Sequence, residues 1–248
     1  MMNYIDTIKK DLMKKKRYEE DVKKFKSLSH DNDFEFHKTC CIYEDEVAAA
    51  VTDPHYFLMD LYFAKIINKR RPTNHYDIGS RVDGFIAHLL ASEIPVTLLD
   101  IRPFPIEIDG LSFVQTDATS LKQIEDDSLE SISSLHAIEH FGLGRYGDFI
   151  EPQAWKTALK SIQSKVKPGG FFYLGIPIGN KAQINFNMHR VFTPNMVIQQ
   201  LDSMELVSFA YINNYRIINV EDRTSLDEIT SSVGAYDCGL FCFKKTTS

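Results

Sequence analysis

Short apolar runs alternate with amphipathic stretches through the central and C-terminal parts of the chain. This pattern predicts seven strands, at residues 75–78, 96–99, 111–115, 129–135, 171–176, 206–212 and 237–243. The helices predicted between them span residues 85–91, 154–166 and 193–201. Strands that alternate with helices in this way are typical of an α/β fold with a mostly parallel sheet covered by helices on both faces.

Two further helices are predicted before the first strand. Residues 1–29 carry apolar side chains at three- and four-residue steps, with nine basic and five acidic residues. Three interpretations of this amphipathic helix stay open. It packs on the main domain, it packs on a second copy of the chain in a homodimer, or it lies on an anionic membrane surface. Residues 54–71 are apolar nearly all round and predict a buried helix that ends before Pro72. We therefore divide the chain into an N-terminal helical extension, residues 1–71, and a main domain, residues 72–248.

Composition and charge narrow the class of protein. The chain has 248 residues, of which 44% are hydrophobic and 25% charged, as in ordinary globular proteins. Its net charge of −6 argues against a protein that binds nucleic acid through the phosphates. No apolar run approaches the ~20 residues of a membrane span, and the N-terminus lacks the apolar core of a signal peptide. We expect a soluble cytoplasmic protein with no nucleic acid partner and no stable membrane insertion.

Candidate cofactor-binding residues follow the predicted strands, because the carboxyl ends of parallel strands meet at one edge of a sheet. They are Asp77, Gly79, Ser80 and Arg81 after the first strand, Asp100 after the second, Asp117 and Ala118 after the third, and Leu135 at the end of the fourth. Asp100 lies 21 residues after Gly79, a usual distance for an acid that binds a ribose diol. A dinucleotide-binding loop would have glycine where Arg81 stands. The acids suit a cationic cofactor without phosphates, S-adenosylmethionine (SAM).

These motifs resemble those of class I SAM-dependent methyltransferases over residues 72–243. The resemblance rests on Asp77-Ile78-Gly79, Asp100, Asp117-Ala118, Leu135-His136-Ala137-Ile138-Glu139-His140 and Lys167-Pro168-Gly169-Gly170. Residues 77–85 and 140–148 also resemble an uncharacterised methyltransferase-like family found in nematodes and in bacterial surface-polysaccharide gene clusters, capsule clusters included. The resemblance implies a Rossmann-like, seven-stranded, mostly parallel sheet that ends in an antiparallel hairpin. It also implies cofactor roles for Gly79, Asp100, Asp117 and Ala118.

Methyl transfer to an alcohol needs a general base as well as a cofactor. The candidate catalytic residues are His140, His136 and Glu139, and the candidate acceptor-binding residues are Tyr146, His189 and Arg190. His140 is the first choice because it directly precedes the glycine-rich segment 141–147, whereas Arg190 suits an anionic acceptor. We expect O-methylation of a small-molecule or glycan acceptor, such as a sugar or a phosphoramidate-type group, in capsule or surface-glycan biosynthesis.

Two other classes of function stay open. The segment from His136 to His140 matches the HxxEH motif of a zinc hydrolase, but that motif needs a long helix and glycines follow it at once. The second alternative is a cofactor-binding or scaffold protein without catalysis. The four cysteines, Cys40, Cys41, Cys238 and Cys242, lack the spacing of a zinc site or a disulfide framework. We predict reduced thiols and no bound metal.

Overall fold

The chain folds into two units, Met1–Thr52 and Asp53–Ser248. A computed structural model describes residues 4–28, 36–38, 53–222, 224, 226 and 236–247. In the first unit, helix α1 (Tyr4–Leu28) forms as predicted. Its Phe25 ring lies 5.8 Å from that of Phe36, and Lys38 Nζ lies 2.6 Å from Glu19. The described parts of the chain include no helix that is both long enough and apolar enough to cross a membrane.

The second unit has an α/β fold, in which helices pack against a β-sheet. The helices are α2 (Pro54–Arg70), α3 (Ala87–Ala91), α4 (Ala154–Lys165) and α5 (Pro194–Ile198), with a π-helical turn at Val82–Ile86 and a 3₁₀ turn at Ile138–His140. The strands are β1 (His75–Ile78), β2 (Val96–Asp100), β3 (Leu111–Gln115), β4 (Leu129–Leu135), β5 (Val166–Ile178), β6 (Gln183–Asn185), β7 (His189–Val191), β8 (Met204–Asn213), β9 (Arg216–Val220) and β10 (Asp237–Lys245).

The main sheet has eight strands in the order β3-β2-β1-β4-β5-β10-β8-β9. Strands β1 to β5 run parallel, and β10 pairs antiparallel with both β5 and β8. This confirms the predicted α/β class and the C-terminal antiparallel pair. The predicted strand count of seven is wrong, because β9 adds an edge strand after a tight turn in which Asn214 adopts φ +53°.

Successive side chains of a strand point to opposite faces, so each face of the sheet has its own core. Phe172 of β5 packs in the core that contains Trp155 of α4, and Tyr173 packs in the core that contains Phe63 of α2. Helix α2 therefore belongs to the second unit. The structure divides the chain after Thr52, earlier than the predicted boundary at residue 71.

Three local predictions differ from the structure. Helix α2 is buried on one face only, since Tyr56 and Phe57 are 41% and 46% exposed whereas Phe63 is 0% exposed. The segment Lys167-Pro168-Gly169-Gly170, which the predicted bounds leave between helix 154–166 and strand 171–176, forms an irregular start of β5, where the pairing with β4 shifts register. Strands β6 and β7 form a separate hairpin that sequence periodicity missed because each has three residues.

Cys238 and Cys242 are buried free thiols, as predicted. Cys40 and Cys41 lie outside the described residues.

Candidate active site

A cavity of about 440 Å³ opens at the carboxyl ends of β1, β2, β3 and β4. A volume of this size suits a small organic ligand. Seven of the residues predicted for the site line it: Gly79, Asp100, Asp117, Ala118, His136, His140 and Tyr146. The sheet topology brings them together from four strand ends, as expected for a ligand site in a parallel sheet.

Gly79, directly after β1, lines the cavity with its backbone. Its backbone adopts φ +71°, which favours glycine, and a Cβ added there would lie 3.3 Å from the Ala137 Cβ. Its N–H donates to the Leu99 carbonyl at 2.9 Å, which ties the end of β1 to the end of β2. A flat ligand can therefore lie directly against the backbone at this point.

Asp77 supports this loop from beneath. Its carboxylate is fully buried and accepts hydrogen bonds from the Ser80 N–H at 2.9 Å, the Ser80 hydroxyl at 3.0 Å and the Ser133 hydroxyl. Burial raises the pKa of Asp77 to about 6. Asp77 and Ser80 thus fix the loop, which differs from the direct cofactor contact that the sequence predicted for them.

Arg81 and Leu135 also lie away from the cavity lining. The Arg81 guanidinium is turned to the Asp83 carboxylate at 2.6 Å on the protein surface. Leu135 is 4% exposed and packs in the same core as Phe63. Their predicted contact with the cofactor therefore has no counterpart in the cavity.

Two carboxylates face the cavity from β2 and from the segment after β3. Asp100 accepts the Arg102 N–H at 2.8 Å and pairs through both oxygens with the Arg102 guanidinium, at 3.0 and 2.7 Å. Asp117 accepts the N–H and the hydroxyl of Thr119, both at 2.8 Å. These bonds hold both acids in position, and carboxylate oxygens keep lone pairs for ligand hydroxyls.

His136 and Glu139 form a buried pair beside the cavity. His136 adopts φ +53°, uncommon for a residue with a side chain, and its Nδ1 lies 2.8 Å from Glu139 Oε1. His136 Nε2 and Glu139 Oε2 are buried without a hydrogen-bond partner. Burial opposes protonation of His136, but the neighbouring Cys238 and Glu139 raise its pKa well above the ordinary value. The raised pKa and the contact of Nδ1 with the Glu139 carboxylate make His136 a weaker candidate for the base than a histidine whose pKa is lowered.

His140 differs from His136 in its hydrogen-bond partner and in the direction of its pKa shift. Its Nδ1 lies 2.7 Å from the Met188 carbonyl oxygen, which can only accept, so Nδ1 carries the proton and Nε2 carries the lone pair. Burial lowers the pKa of His140, and the neighbouring Arg145 and His136 lower it further against the effect of Glu139. The imidazole is therefore neutral at pH 7 and lines the cavity as a potential proton acceptor.

The segment 141–152, which we call the glycine loop, closes this side of the cavity. The Asp148 carboxylate accepts the N–H groups of Gly142, Gly144 and Tyr146 at 2.7, 3.3 and 3.1 Å. The Arg190 guanidinium, on β7, donates to the carbonyl oxygens of Phe141 at 2.6 Å and Pro152 at 3.3 Å. Arg190, for which the sequence predicted contact with an anionic acceptor, is only 4% exposed and is bound to main-chain carbonyls. It braces the loop.

Replacing Gly142 by alanine is expected to disrupt the glycine loop. Gly142 adopts φ +73°, and an added Cβ would overlap the Glu151 carbonyl oxygen and lie 2.9 Å from the Ala154 Cβ. Gly147 is a matched control, with φ +83° and nothing within 4 Å of the added Cβ. Gly147→Ala should cost about 1–2 kcal/mol from the backbone alone, and Gly142→Ala clearly more. Urea denaturation measures both, and equal losses would contradict the proposed clash.

The zinc-hydrolase alternative loses its structural basis. Ile138–His140 is a single 3₁₀ turn, so His136 and His140 do not share a helix face. Their Nδ1 atoms are directed to Glu139 and to the Met188 carbonyl respectively. Among the described residues, no group of three or more His, Cys, Asp or Glu side chains could hold a metal ion.

Three aromatic or imidazole rings that the sequence did not single out lie beside His136 and His189. Tyr56 and His55, on the first turn of α2, lie 5.1 and 6.2 Å from the His136 ring. Tyr236 lies 4.7 Å from His189 and 5.7 Å from His55. No local motif marks these residues, because they come from opposite ends of the chain.

Solved structures with the same fold include several methyltransferases. The N-methyltransferase NodS from Bradyrhizobium japonicum is 14% identical and matches 83% of this chain and 100% of its own, with a TM-score of 0.56. The 1,6-didemethyltoxoflavin-N1-methyltransferase of Burkholderia thailandensis, solved with S-adenosylhomocysteine (SAH), is 16% identical over 81% of this chain and 94% of its own, at TM-score 0.53. The [4+2]-cyclase SpnF is 12% identical over 75% and 81%, at TM-score 0.55. At these identities, the likeness establishes the fold.

Sequence comparison identifies the family. A search of curated proteins found no match. The model of the family described as "Caenorhabditis protein of unknown function, DUF268" matches residues 107–232, just over half of the chain. The match includes the third and fourth strands, His136, Glu139, His140 and the glycine loop. The chain therefore belongs to the DUF268 family.

Proposed function

We propose that this protein is a SAM-dependent methyltransferase that transfers a methyl group to an alcohol oxygen. The observation that carries the proposal is the position of two groups in one cavity. Asp100 lies at the end of β2, where an acid can bind ribose hydroxyls, and His140 presents an unprotonated nitrogen from the segment after β4. The shared fold with SAM-dependent enzymes supports the same conclusion.

The cavity residues fit this cofactor better than a dinucleotide. Gly79 admits a ligand against the backbone, and Asp100 and Asp117 offer acceptors to hydroxyl or amino groups. Arg81 stands where a dinucleotide loop has glycine, and its side chain is paired with Asp83 at the surface. When bound, SAM supplies an electrophilic methyl group on a positively charged sulfur, which the negative charge of Asp117 favours, since the Asp117 carboxylate accepts hydrogen bonds from the neutral Thr119 whereas Asp100 is paired with Arg102.

His140 supplies the base in this proposal. An acceptor hydroxyl within reach of Nε2 would lose its proton to the neutral imidazole as the oxygen–methyl bond forms. Glu139 Oε1 lies 3.8 Å from His140 Nε2, so its negative charge stabilises the imidazolium that results. The Met188 carbonyl keeps the ring in the required tautomer. The residues thus provide both the proton acceptor and its orientation.

The acceptor is proposed to be a small molecule or glycan, such as a sugar or phosphoramidate-type group in cytoplasmic capsule or surface-glycan biosynthesis. This part rests on the sequence resemblance to proteins of surface-polysaccharide gene clusters. Acceptor screening should therefore begin with sugars and their phosphorylated or acidic derivatives.

Thermal melting in the presence of SAH, SAM and NAD tests the cofactor assignment. A ligand at about 100 times its dissociation constant stabilises the folded protein by about 2.7 kcal/mol. We expect a rise in Tm with SAH and SAM and none with NAD. A rise with NAD alone would overturn the proposal. Because SpnF carries this fold and is named as a cyclase, product methylation must also be measured, by transfer of labelled methyl to acceptor.

Replacing Asp100 by alanine is expected to weaken SAH binding by about 1.5–3 kcal/mol, the usual loss when a charged hydrogen-bond acceptor is removed. Isothermal titration calorimetry on the folded variant measures the change. Asp83→Ala is the control, since Asp83 is also paired with an arginine but lies outside the cavity lining. Equal affinity for wild type and Asp100→Ala would place the ribose elsewhere.

A further inference from the structure

Arg145 and three side chains that form hydrogen bonds, His140, His189 and Asn185, lie next to one another beside the cavity. Arg145, His140 and His189 lie close enough that the charge of Arg145 lowers the pKa of both histidines. Asn185 Nδ2 lies 3.4 Å from His189 Nε2. The carboxylate that faces these groups is Glu139, which is 1% exposed and already paired with His136. The exposed cation of this group is therefore Arg145, and the carboxylate of Asp148 in the same loop accepts main-chain N–H groups.

Arg145 differs from Arg81 and Arg102, which pair with carboxylates, and from Arg190, which is buried against main-chain carbonyls. Arg81 pairs with Asp83, and Arg102 pairs with Asp100. Within the described residues, Arg145 pairs with no carboxylate, and its Nη1 donates to the Met188 carbonyl at 2.9 Å. Arg145 is an exposed residue. A guanidinium with free donors is suited to bind a carboxylate or phosphate through two parallel hydrogen bonds.

The position of Arg145 links it to the proposed base. Arg145 Nη1 lies 3.5 Å from His140 Nδ1, and both nitrogens are directed to the same Met188 carbonyl oxygen. The Arg145 guanidinium also lies 5.2 Å from the centre of the Tyr146 ring, which lines the cavity. An anion held by Arg145 would therefore lie at the cavity mouth, next to His140.

We propose that Arg145 binds an anionic group of the methyl acceptor, a carboxylate or a phosphate ester, and so selects acidic acceptors. This inference rests on the proposed methyltransferase function and assigns to Arg145 the role that the sequence suggested for Arg190. Binding an anion would also offset the charge of Arg145, one of the causes that lower the pKa of His140. The base would then become stronger when an acidic acceptor is bound.

Histidine ring NMR tests this inference without methyl transfer. Inorganic phosphate and glucuronate are titrated into the SAH-free protein at constant ionic strength, and the ring signals of His140 and His189 are followed. We expect saturable shifts with phosphate, glucuronate or both, and the pattern distinguishes phosphate-bearing from carboxylate-bearing acceptors. Arg145→Ala should weaken this affinity about tenfold or more, and Arg145→Lys less. Arg216→Ala, an exposed arginine on edge strand β9, should leave it unchanged.

Two results would overturn the inference. One is the absence of saturable shifts at His140 and His189 with both probes. The other is equal affinity in wild type and Arg145→Ala, which would indicate general attraction of anions. SAH binding, measured separately by calorimetry, keeps the two proposals distinct. If SAH binds and the anions do not, only the role of Arg145 fails; if the anions bind through Arg145 and SAH does not, the methyltransferase proposal fails.

Discussion

Replacing His140 by alanine is expected to slow methyl transfer about 10²–10⁴-fold in a single turnover with saturating SAM, the usual contribution of general base catalysis. His140 is the histidine of the cavity whose bonding leaves a lone pair on a neutral ring, through the contact of Nδ1 with the Met188 carbonyl. SAH affinity should change little, because the lost group faces the acceptor in the proposed arrangement. Quenched-flow measurement of labelled product, with any acceptor found by screening, gives the rate.

Two variants separate base catalysis from loss of packing. His140→Gln keeps an amide that can donate to the Met188 carbonyl but has no proton acceptor of comparable strength, so it should lose nearly as much activity as alanine. His88→Ala, on α3 and outside the cavity lining, should keep the wild-type rate. A rate near wild type in His140→Ala with a large loss in His136→Ala would transfer the role to His136. Small losses in both would indicate an acceptor that needs no base.

The pH dependence of the single-turnover rate tests the role of His140 independently. Burial lowers the pKa of His140, so the neutral, active form persists below the ordinary histidine range. The single-turnover rate should therefore be flat near pH 7 and fall only as the pH drops below that range. The His140→Gln variant should lack this acid limb, because it has no imidazole to protonate.

Periodicity predicted the sheet well because β1, β2, β4 and β5 bury apolar side chains in short runs bounded by polar turns. The pattern of residues 129–135, for example, gives β4 with its predicted bounds. Periodicity failed where the presence of a strand depends on its pairing with a neighbouring strand. Strand β9 is half exposed and forms because Asn214 turns the chain back onto β8. The start of β5 pairs with β4 in spite of Pro168 and two glycines.

Some site residues were predicted from the sequence and others were not, because contacts between distant parts of the chain do not appear in a local pattern. Residues at strand ends, such as Gly79 and Asp100, reach the cavity because the topology brings strand ends together. Whether an arginine is free depends on contacts distant in sequence. Arg190 is occupied by carbonyls from residues 141 and 152, and Arg145 has no carboxylate partner among the described residues. The sequence around Arg190 or Arg145 does not show which partners its guanidinium has.

Replacing Glu139 by alanine is expected to destabilise the folded protein by about 3–5 kcal/mol near pH 6, the usual result of removing one partner from a buried ion pair. The Glu139 and His136 side chains are 2% and 7% exposed, so neither group is solvated if the other is lost. Urea denaturation monitored by circular dichroism measures the free energy of unfolding. Glu130→Gln is the control, because the Glu130–Lys167 pair is 3.7 Å long and partly exposed, and should contribute about 0–1 kcal/mol.

The loss of unfolding free energy in the Glu139 variants should depend on pH, and the pKa of His136 sets the direction of that dependence. Its pKa in the folded state is raised, so the pair contributes its full stability below the ordinary histidine value of about 6.5 and loses it as the pH rises through the folded value. The difference between wild type and Glu139→Gln, which keeps the shape but not the charge, should therefore shrink from pH 6 to pH 9. A difference that is constant or grows with pH would mean that His136 is neutral in the folded protein. His136 would then be available as a base, and the assignment of that role to His140 alone would have to be abandoned.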